Sequence, residues 1–275
     1  MAGEHDGRQR LLSRRALLVS LALLVPGIPI AVGVAIGLQK PTAGAAATTT
    51  SESLTPAAPT AGATAAAAEL TLPAIPGGSG ALVALLLHPT NLRSSPRGHT
   101  IARLRTKTEF GSPEMLWVVI HRPGWLGVMT PQAGNGRVAW ISQSATSLSR
   151  VPWELKVSLG SRRLTVLDHG RVVERYAVAI GASKAPTPTG RFAVTDRLVT
   201  NDPSGPYGCC ILALSASAPH AIQGWTGGTR IAIHSTPESG SIGEAASHGC
   251  VRVTLAEGRW LLAHIPLGTP ALISS

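Results

Sequence analysis

The chain is poor in aromatic and acidic residues, and it has too few cysteines for a disulfide-stabilised scaffold. Only 4% of its 275 residues are aromatic, and 14 Asp and Glu stand against 24 Lys and Arg. Three cysteines are an odd number, so at least one thiol is expected to be free or reactive. No basic run interleaved with aromatics accompanies the net charge of +10, which argues against nucleic-acid binding. Such a basic surface suits an anionic envelope polymer or a membrane.

The N-terminus has the pattern of an export element. Residues 1–15 are polar and rich in arginine, whereas residues 16–38 carry no charge and are long enough to span a bilayer core of about 30 Å. Arginines on the N-terminal side predict a cytoplasmic N-terminus. Residues 16–38 are either a retained membrane anchor or a cleaved signal peptide, and residues 13–18 resemble a twin-arginine export signal. Either alternative places the remainder in the cell envelope, outside the cytoplasm.

A low-complexity segment separates this element from the first folded region. Residues 39–79 are dominated by Ala, Thr, Pro and Gly, which predicts a disordered linker. Residues 80–150 then alternate apolar runs with turn signals. Strands are predicted at residues 81–87, 116–121, 125–129 and 137–141, with a turn at 91–98. This succession of short strands resembles a bacterial SH3-like β domain, which implies either a wall-binding module or a spacer packed on the next domain.

Residues 151–275 predict one compact, mostly β domain. Apolar alternation indicates a meander of antiparallel strands up to about residue 195, and residues 231–233 predict a short buried strand. Residues 200–228 are rich in Gly, Pro and Ser and predict an irregular binding loop. A capping box from Thr254 to Glu257 predicts the start of a helix, and residues 271–273 predict a last strand.

A histidine at a strand end and a cysteine in a tight turn form the main chemical feature. His234 ends the alternation Ile-Ala-Ile-His, and Cys250 follows within Ser-His-Gly-Cys-Val-Arg. A thiol attacks a carbonyl as the thiolate, so it needs a base and a polar pocket. His234 is the candidate base. Gly249 lets a reacting carbonyl come close, so the amides around Cys250 are a candidate oxyanion hole.

Cys209 and Cys210 are adjacent in the sequence. They can form a vicinal disulfide, bridge to another chain, or serve as two small apolar residues, and the last of these is our prediction. A disulfide from either one to Cys250 would block the nucleophile, and we do not expect it as the resting state.

Three segments of residues 151–275 resemble the YkuD-type L,D-transpeptidase catalytic domain. They are Thr-Pro-Thr-Gly-Arg-Phe at 187–192, Ile-Ala-Ile-His at 231–234 and Ser-His-Gly-Cys-Val-Arg at 247–252. The resemblance implies a mostly β fold: a YkuD-like β-sandwich with one or two short helices, preceded by the small SH3-like β-barrel. No cofactor and no metal are implied.

The resemblance also implies a reaction on peptidoglycan stem peptides. Cys250 would attack the meso-diaminopimelyl–D-alanine bond of a stem tetrapeptide and form a thioester. An amine acceptor would resolve it, giving 3-3 cross-links. Carbapenem-type β-lactams are expected to acylate the same cysteine.

Several residues near the motif receive supporting roles, some from their own chemistry and some from the resemblance. Ser235 would orient His234 through its hydroxyl or its backbone carbonyl. Ser247, His248 and Gly249 would shape the turn and the oxyanion hole. Substrate binding is assigned to Arg252, which is equally well explained as a structural ion pair, and to Tyr207 in a substrate loop.

Three alternatives to the cross-linking reaction stay open. With another acceptor, the same site would attach a lipoprotein or, with water, would be an L,D-carboxypeptidase. A non-catalytic cell-wall-binding protein is a second alternative, although the intact Cys and His pair argues against it. A zinc site built from His234, His248 and Cys250 is a third, but it lacks closely spaced paired ligands and a fourth ligand.

Overall fold

The computed structural model describes residues 79–219 and 228–275, most of which lie in two large β-sheets. Residues 1–78 lie outside the described residues, and with them the predicted anchor at 16–38 and almost all of the predicted linker. Within the two described ranges, no helix is long and apolar enough to cross a membrane.

The N-terminal sheet is antiparallel and has seven strands in the order β3-β2-β6-β5-β4-β1-β7. Its core consists mainly of leucine side chains, with alanine, valine and isoleucine filling the remaining positions. The likeness to an SH3 domain stays a prediction. The strands are β1 (Ala81–Leu86), β2 (Thr90–Arg93), β3 (Thr100–Leu104), β4 (Met115–Arg122), β5 (Trp125–Met129), β6 (Ala139–Ser142) and β7 (Thr146–Val151).

The C-terminal sheet has eight strands in the order β10-β9-β8-β17-β12-β13-β14-β16, and a two-stranded parallel sheet joins β11 to β15. The predicted mostly β class with a short helix is confirmed. The elements are β8 (Trp153–Ser158), β9 (Arg163–Asp168), β10 (Arg171–Ala177), β11 (Ile180–Gly181), β12 (Gly190–Val199), β13 (Cys210–Ser217), β14 (Arg230–Ser235), β15 (Ala245–Ser247), β16 (Val251–Val253), α1 (Leu255–His264) and β17 (Pro270–Ser274).

The helix α1 covers one face of β13 and β14. Its start follows the predicted capping box: the Thr254 hydroxyl accepts from the Glu257 N–H, and the Glu257 carboxylate accepts from the Thr254 N–H. Leu261 of the helix is buried in the same core cluster as Ile233 and Leu212. The helix therefore fixes which face of β14 is filled with apolar side chains and which face is left for chemistry.

Two predictions from composition are correct only in part. The predicted turn at 91–98 is present at residues 94–98, but its first residues belong to β2, because Leu92 is buried in the core of the first sheet. The predicted irregular loop at 200–228 is present at residues 200–209, but it continues into β13, which lies between β12 and β14 in the middle of the sheet, and residues 220–227 lie outside the described residues. Its Leu212 and Leu214 are buried at alternate positions, so strand pairing overrides the high content of serine and glycine around it.

The two large sheets belong to one compact unit and contact each other directly. The Asn135 side chain donates to the Ser217 carbonyl at 2.7 Å and accepts from the Ser217 N–H at 2.8 Å. An apolar cluster between the sheets contains Trp117, Val119, Met129 and Ala193.

Two buried carboxylates, Glu114 and Asp196, lie where the sheets meet, near Arg230 and the exposed Glu109. The guanidinium of Arg230 lies 2.7 Å from the Glu109 carboxylate and 3.9 Å from that of Asp196, which also accepts from the Thr108 hydroxyl. Burial, together with the charge of Asp196, raises the pKa of Glu114 to about 7, although Arg230 opposes the shift. Protonation of Glu114 therefore relieves an excess of negative charge at this contact.

Candidate active site

The strand β14 delivers His234 to the face of the sheet opposite α1. All six of its residues are buried, and they alternate in direction. Ile231 and Ile233 pack in the core beneath α1, which leaves Ala232 and His234 on the other face. The His234 side chain is only 3% exposed, so it lies deep at the site rather than at the rim.

The adjacent strand β16 brings Cys250 to the same face. β14 and β16 pair in parallel, with Ile233 opposite Val251 and His234 opposite Arg252. Cys250 lies one step before Val251, so alternation directs it and Arg252 to the side on which His234 lies. Two motifs that are distant in the sequence therefore meet on neighbouring strands.

The turn before Cys250 is stabilised by Ser247. Its hydroxyl donates to the Cys250 carbonyl and accepts from the Gly249 N–H at 3.1 Å. Gly249 has a φ of +117°, and a Cβ there would approach the Ile231 side chain to 2.9 Å. A side chain at this position would therefore be strained and would push on the core behind the site.

The orientation of the His234 ring is fixed by the next residue. Its Nδ1 lies 2.8 Å from the backbone carbonyl of Ser235. A carbonyl only accepts, so Nδ1 carries the proton and Nε2 holds the free lone pair. Burial is the main cause that lowers the pKa of His234 to about 4, and the charge of Arg252 adds to it. The imidazole is therefore neutral at neutral pH and ready to accept a proton.

The Cys250 thiol is held in its protonated form by its surroundings. Burial raises its pKa, while a hydrogen bond from the Ala232 backbone and the charge of Arg252 oppose that shift. Cys250 is the one free cysteine of the three. A neutral thiol beside a neutral imidazole favours proton transfer during the attack over a preformed ion pair.

Tyr207 and Arg252 border the same pocket. The ring centroid of Tyr207 lies 4.8 Å from that of His234. Burial and the nearby Cys250 raise the pKa of Tyr207 to about 12, so it stays a neutral phenol. Arg252 donates to the exposed Glu238 at 3.3 Å, and its buried Nε has no hydrogen-bond partner among the residues that the structure describes.

Ser235 does not reach His234 through its hydroxyl. That hydroxyl accepts from the Cys210 N–H at 3.1 Å and lies 3.3 Å from the Tyr207 carbonyl. It also lies 3.5 Å from the Cys209 sulfur. Of the two orienting groups predicted on Ser235, the backbone carbonyl is the one in contact with the imidazole.

Cys209 and Cys210 form a vicinal disulfide, so the prediction of two small apolar residues is wrong. No signal in the sequence decides between adjacent thiols and a disulfide, because the residue types are the same in both states.

His248, unlike His234, is exposed. Among the described residues, no group of three or more His, Cys, Asp or Glu side chains is arranged to hold a metal ion.

Comparison with known proteins identifies the C-terminal domain. Residues 152–273 match the family model of the YkuD L,D-transpeptidase catalytic domain. A Bacillus subtilis protein named as an L,D-transpeptidase, YkuD, is 32% identical over 124 residues, which cover 45% of this chain and 67% of that protein. The chain belongs to the YkuD-type L,D-transpeptidase family. It is therefore an enzyme of the cysteine-dependent acyltransferase class.

Solved L,D-transpeptidase structures resemble the chain more distantly. An L,D-transpeptidase from Mycobacterium smegmatis is 19% identical, covering 55% of this chain and 90% of that one, with a TM-score of 0.36. One from Xylanimonas cellulosilytica is 27% identical, covering 46% of this chain and 61% of that one, with a TM-score of 0.33.

Proposed function

We propose that this L,D-transpeptidase cross-links peptidoglycan, with Cys250 as the nucleophile and His234 as the base. The thiol attacks the carbonyl of the meso-diaminopimelyl–D-alanine bond in a stem tetrapeptide, and its proton passes to Nε2 of His234. The carbon–nitrogen bond breaks, His234 returns the proton to the leaving D-alanine amine, and a thioester remains. The amine of a second stem then attacks the thioester, forms the 3-3 cross-link and frees the thiol.

One observation carries this proposal: the parallel register of β14 and β16, which gives Cys250 and His234 a common face. The neutral state of His234 supports its role as a proton acceptor. Backbone amides around Cys250 that are not already bound to Ser247 would stabilise the oxyanion, and the positive φ of Gly249 allows the tight turn that presents them.

Arg252 and Tyr207 are the proposed substrate-binding residues. A guanidinium with an unpaired buried Nε suits the carboxylates of a stem peptide, because charge-assisted hydrogen bonds are strong in a partly buried pocket. The Tyr207 ring lies against the His234 imidazole, with 4.8 Å between the ring centroids, and would limit how a substrate can approach the base. We expect Arg252→Gln to raise KM more than it lowers kcat.

The decisive experiment is intact-protein mass spectrometry of the purified chain with a carbapenem. A single covalent adduct that disappears in Cys250→Ala is the expected result, with the variant keeping the circular-dichroism spectrum of the parent. An adduct of equal stoichiometry in Cys250→Ala would exclude Cys250 as the nucleophile. No adduct on the folded, reduced parent would favour a non-catalytic wall-binding protein.

A second assay separates cross-linking from hydrolysis. The enzyme is incubated with a stem tetrapeptide alone, and then with an added amine acceptor. Cross-linked dimer with release of D-alanine supports the transpeptidase. Release of D-alanine with only the tripeptide as the second product would instead make the chain an L,D-carboxypeptidase.

We also propose that the enzyme acts in the cell envelope, anchored by residues 16–38 or released after cleavage. The apolar, charge-free pattern of these residues supports the proposal. A reporter that is active only outside the cytoplasm, fused after residue 79, is expected to be active. An inactive but intact fusion would contradict an extracytoplasmic location.

A further inference from the structure

The vicinal disulfide lies beside Ser235, the residue that follows the active-site histidine. Cys209 and Cys210 are 7% and 4% exposed, immediately before and at the start of β13, and the Cys209 sulfur lies 3.8 Å from the carbonyl of Leu255 in α1. They line a cavity of about 490 Å³ together with Arg197, Arg259 and Leu262. The disulfide is therefore buried but borders a space that a small reductant can enter.

Ser235 connects the disulfide to His234. Its hydroxyl accepts from the Cys210 N–H at 3.1 Å and lies 3.5 Å from the Cys209 sulfur. Its backbone carbonyl accepts from His234 Nδ1 at 2.8 Å. One residue thus contacts the disulfide through its side chain and the imidazole through its backbone.

Tyr207, which lies against His234, belongs to the short segment that leads directly into this disulfide. The Tyr207 carbonyl lies 3.3 Å from the Ser235 hydroxyl, and Gly208 precedes Cys209 with a φ of +54°. Ser235 itself is fully buried and closely packed: a Cβ at Gly208 would lie 2.4 Å from its hydroxyl. Such packing leaves little room for Ser235 to absorb a shift of its neighbours.

We propose that the Cys209–Cys210 disulfide positions His234 through Ser235, and that its reduction by a dithiol slows acylation of Cys250. The inference rests on the proposed function. In the reduction, a dithiol supplies two electrons and two protons. The sulfur–sulfur bond breaks, both cysteines become thiols, and the reductant closes into its own disulfide.

Reduction of the disulfide changes the groups that surround the Ser235 hydroxyl. A disulfide sulfur has no hydrogen, so Cys209 offers the Ser235 hydroxyl only a weak acceptor. Reduction gives Cys209 an S–H donor and replaces a covalent bond by a non-bonded contact between two sulfurs, which needs more room. The Ser235 hydroxyl must then change partners, and its backbone carries that change to the imidazole.

The test compares acylation rates of the oxidised and the reduced enzyme. The full chain is reduced with dithiothreitol, desalted under anaerobic conditions and mixed with a carbapenem, with the Cys209–Cys210 redox state read by peptide mass. We expect the maximal acylation rate to fall about tenfold or more, because misplacement of roughly 1 Å at a reacting group can cost about 100-fold. The half-saturating carbapenem concentration is expected to change less than the rate.

Two variants have expected responses to dithiothreitol that a general loss of stability would not produce. The double variant Cys209→Ala, Cys210→Ala is expected to be acylated as slowly as the reduced enzyme. Its acylation rate should not change when dithiothreitol is added. In Ser235→Ala, reduction is expected to have a much smaller effect than in the parent, because the two changes act through one contact.

Equal rates for the oxidised and the reduced parent would overturn the inference, as would a full reduction effect in Ser235→Ala. Both results leave the proposed function intact. Failure of Cys250 to acylate in every redox state would instead contradict the proposed function itself.

Discussion

Nδ1 of His234 lies 2.8 Å from the backbone carbonyl of Ser235, on a side chain that is almost fully buried. The contact assigns the proton to Nδ1 and leaves Nε2 as the basic nitrogen. The position of His234 in β14 therefore determines both its orientation, through the Ser235 carbonyl, and its low pKa, because burial favours the neutral ring.

The pH dependence of acylation should therefore differ from that of an ordinary histidine. The pKa of His234 is lowered to about 4, so the ring loses its proton as the pH rises through that value and stays basic above it. We expect the acylation rate to have its acid limb near pH 4 and to change little between pH 5 and 8. A half-maximal rate near pH 6.5, measured with a carbapenem, would contradict this assignment.

The two histidines of the motifs should differ in their importance. His234→Ala removes the base and is expected to slow acylation at least about 100-fold, in the range typical of general-base catalysis. His248 is exposed, so His248→Ala should change the rate by less than about threefold. The two rates are compared on proteins with matched unfolding curves. Equal losses would overturn the ranking.

Gly208 and Gly170 form a matched pair for the packing around Ser235. Both have a positive φ, +54° and +76°, at which an alanine is strained by about 1–2 kcal/mol. A Cβ at Gly170 meets nothing within 4 Å, whereas one at Gly208 would lie 2.4 Å from the Ser235 hydroxyl and 2.9 Å from its carbonyl carbon.

We therefore expect Gly170→Ala to lower only the free energy of unfolding. Gly208→Ala should lower it further and also slow acylation about tenfold or more, because the displaced Ser235 backbone holds His234. Urea unfolding and carbapenem acylation measure the two effects separately. If both variants acylate at the parent rate, Ser235 does not position the base.

The buried carboxylates between the sheets should make stability depend on pH. The folded-state pKa of Glu114 is about 7 against an ordinary value of 4.5. The folded protein therefore binds this proton more tightly, and the free energy of unfolding should fall by up to about 3 kcal/mol as the pH rises from 4.5 to 7.

Glu114→Gln should remove this dependence, because an amide cannot ionise. The matched control is Glu154→Gln, which changes a partly exposed carboxylate paired with Lys156 and should leave the pH dependence intact. Urea unfolding between pH 4.5 and 8 measures both variants. A parent-like slope in Glu114→Gln would assign the effect to another group.

Local sequence patterns predicted the structure correctly where a residue type strongly prefers one position or where apolar residues recur with a fixed period. The capping box at Thr254 is where the sequence predicts it, and β5 has the predicted bounds. Composition was misleading at β13. Its alternating Leu212 and Leu214 were outweighed by the serines and glycines around them, although strands on both sides bury this segment. Long-range pairing decides such a segment, and a local window does not contain it.

The reactive groups and their family can be read from short motifs: a His after a short apolar strand, a Cys in a glycine turn, and the order in which they occur. Which atoms meet depends on contacts between distant segments. The parallel pairing of β14 and β16 gives Cys250 and His234 one face. Burial sets their protonation, and the Ser235 carbonyl, not its hydroxyl, orients the imidazole. Pairing, burial and backbone contacts depend on chain segments far apart in sequence, so no local pattern encodes them.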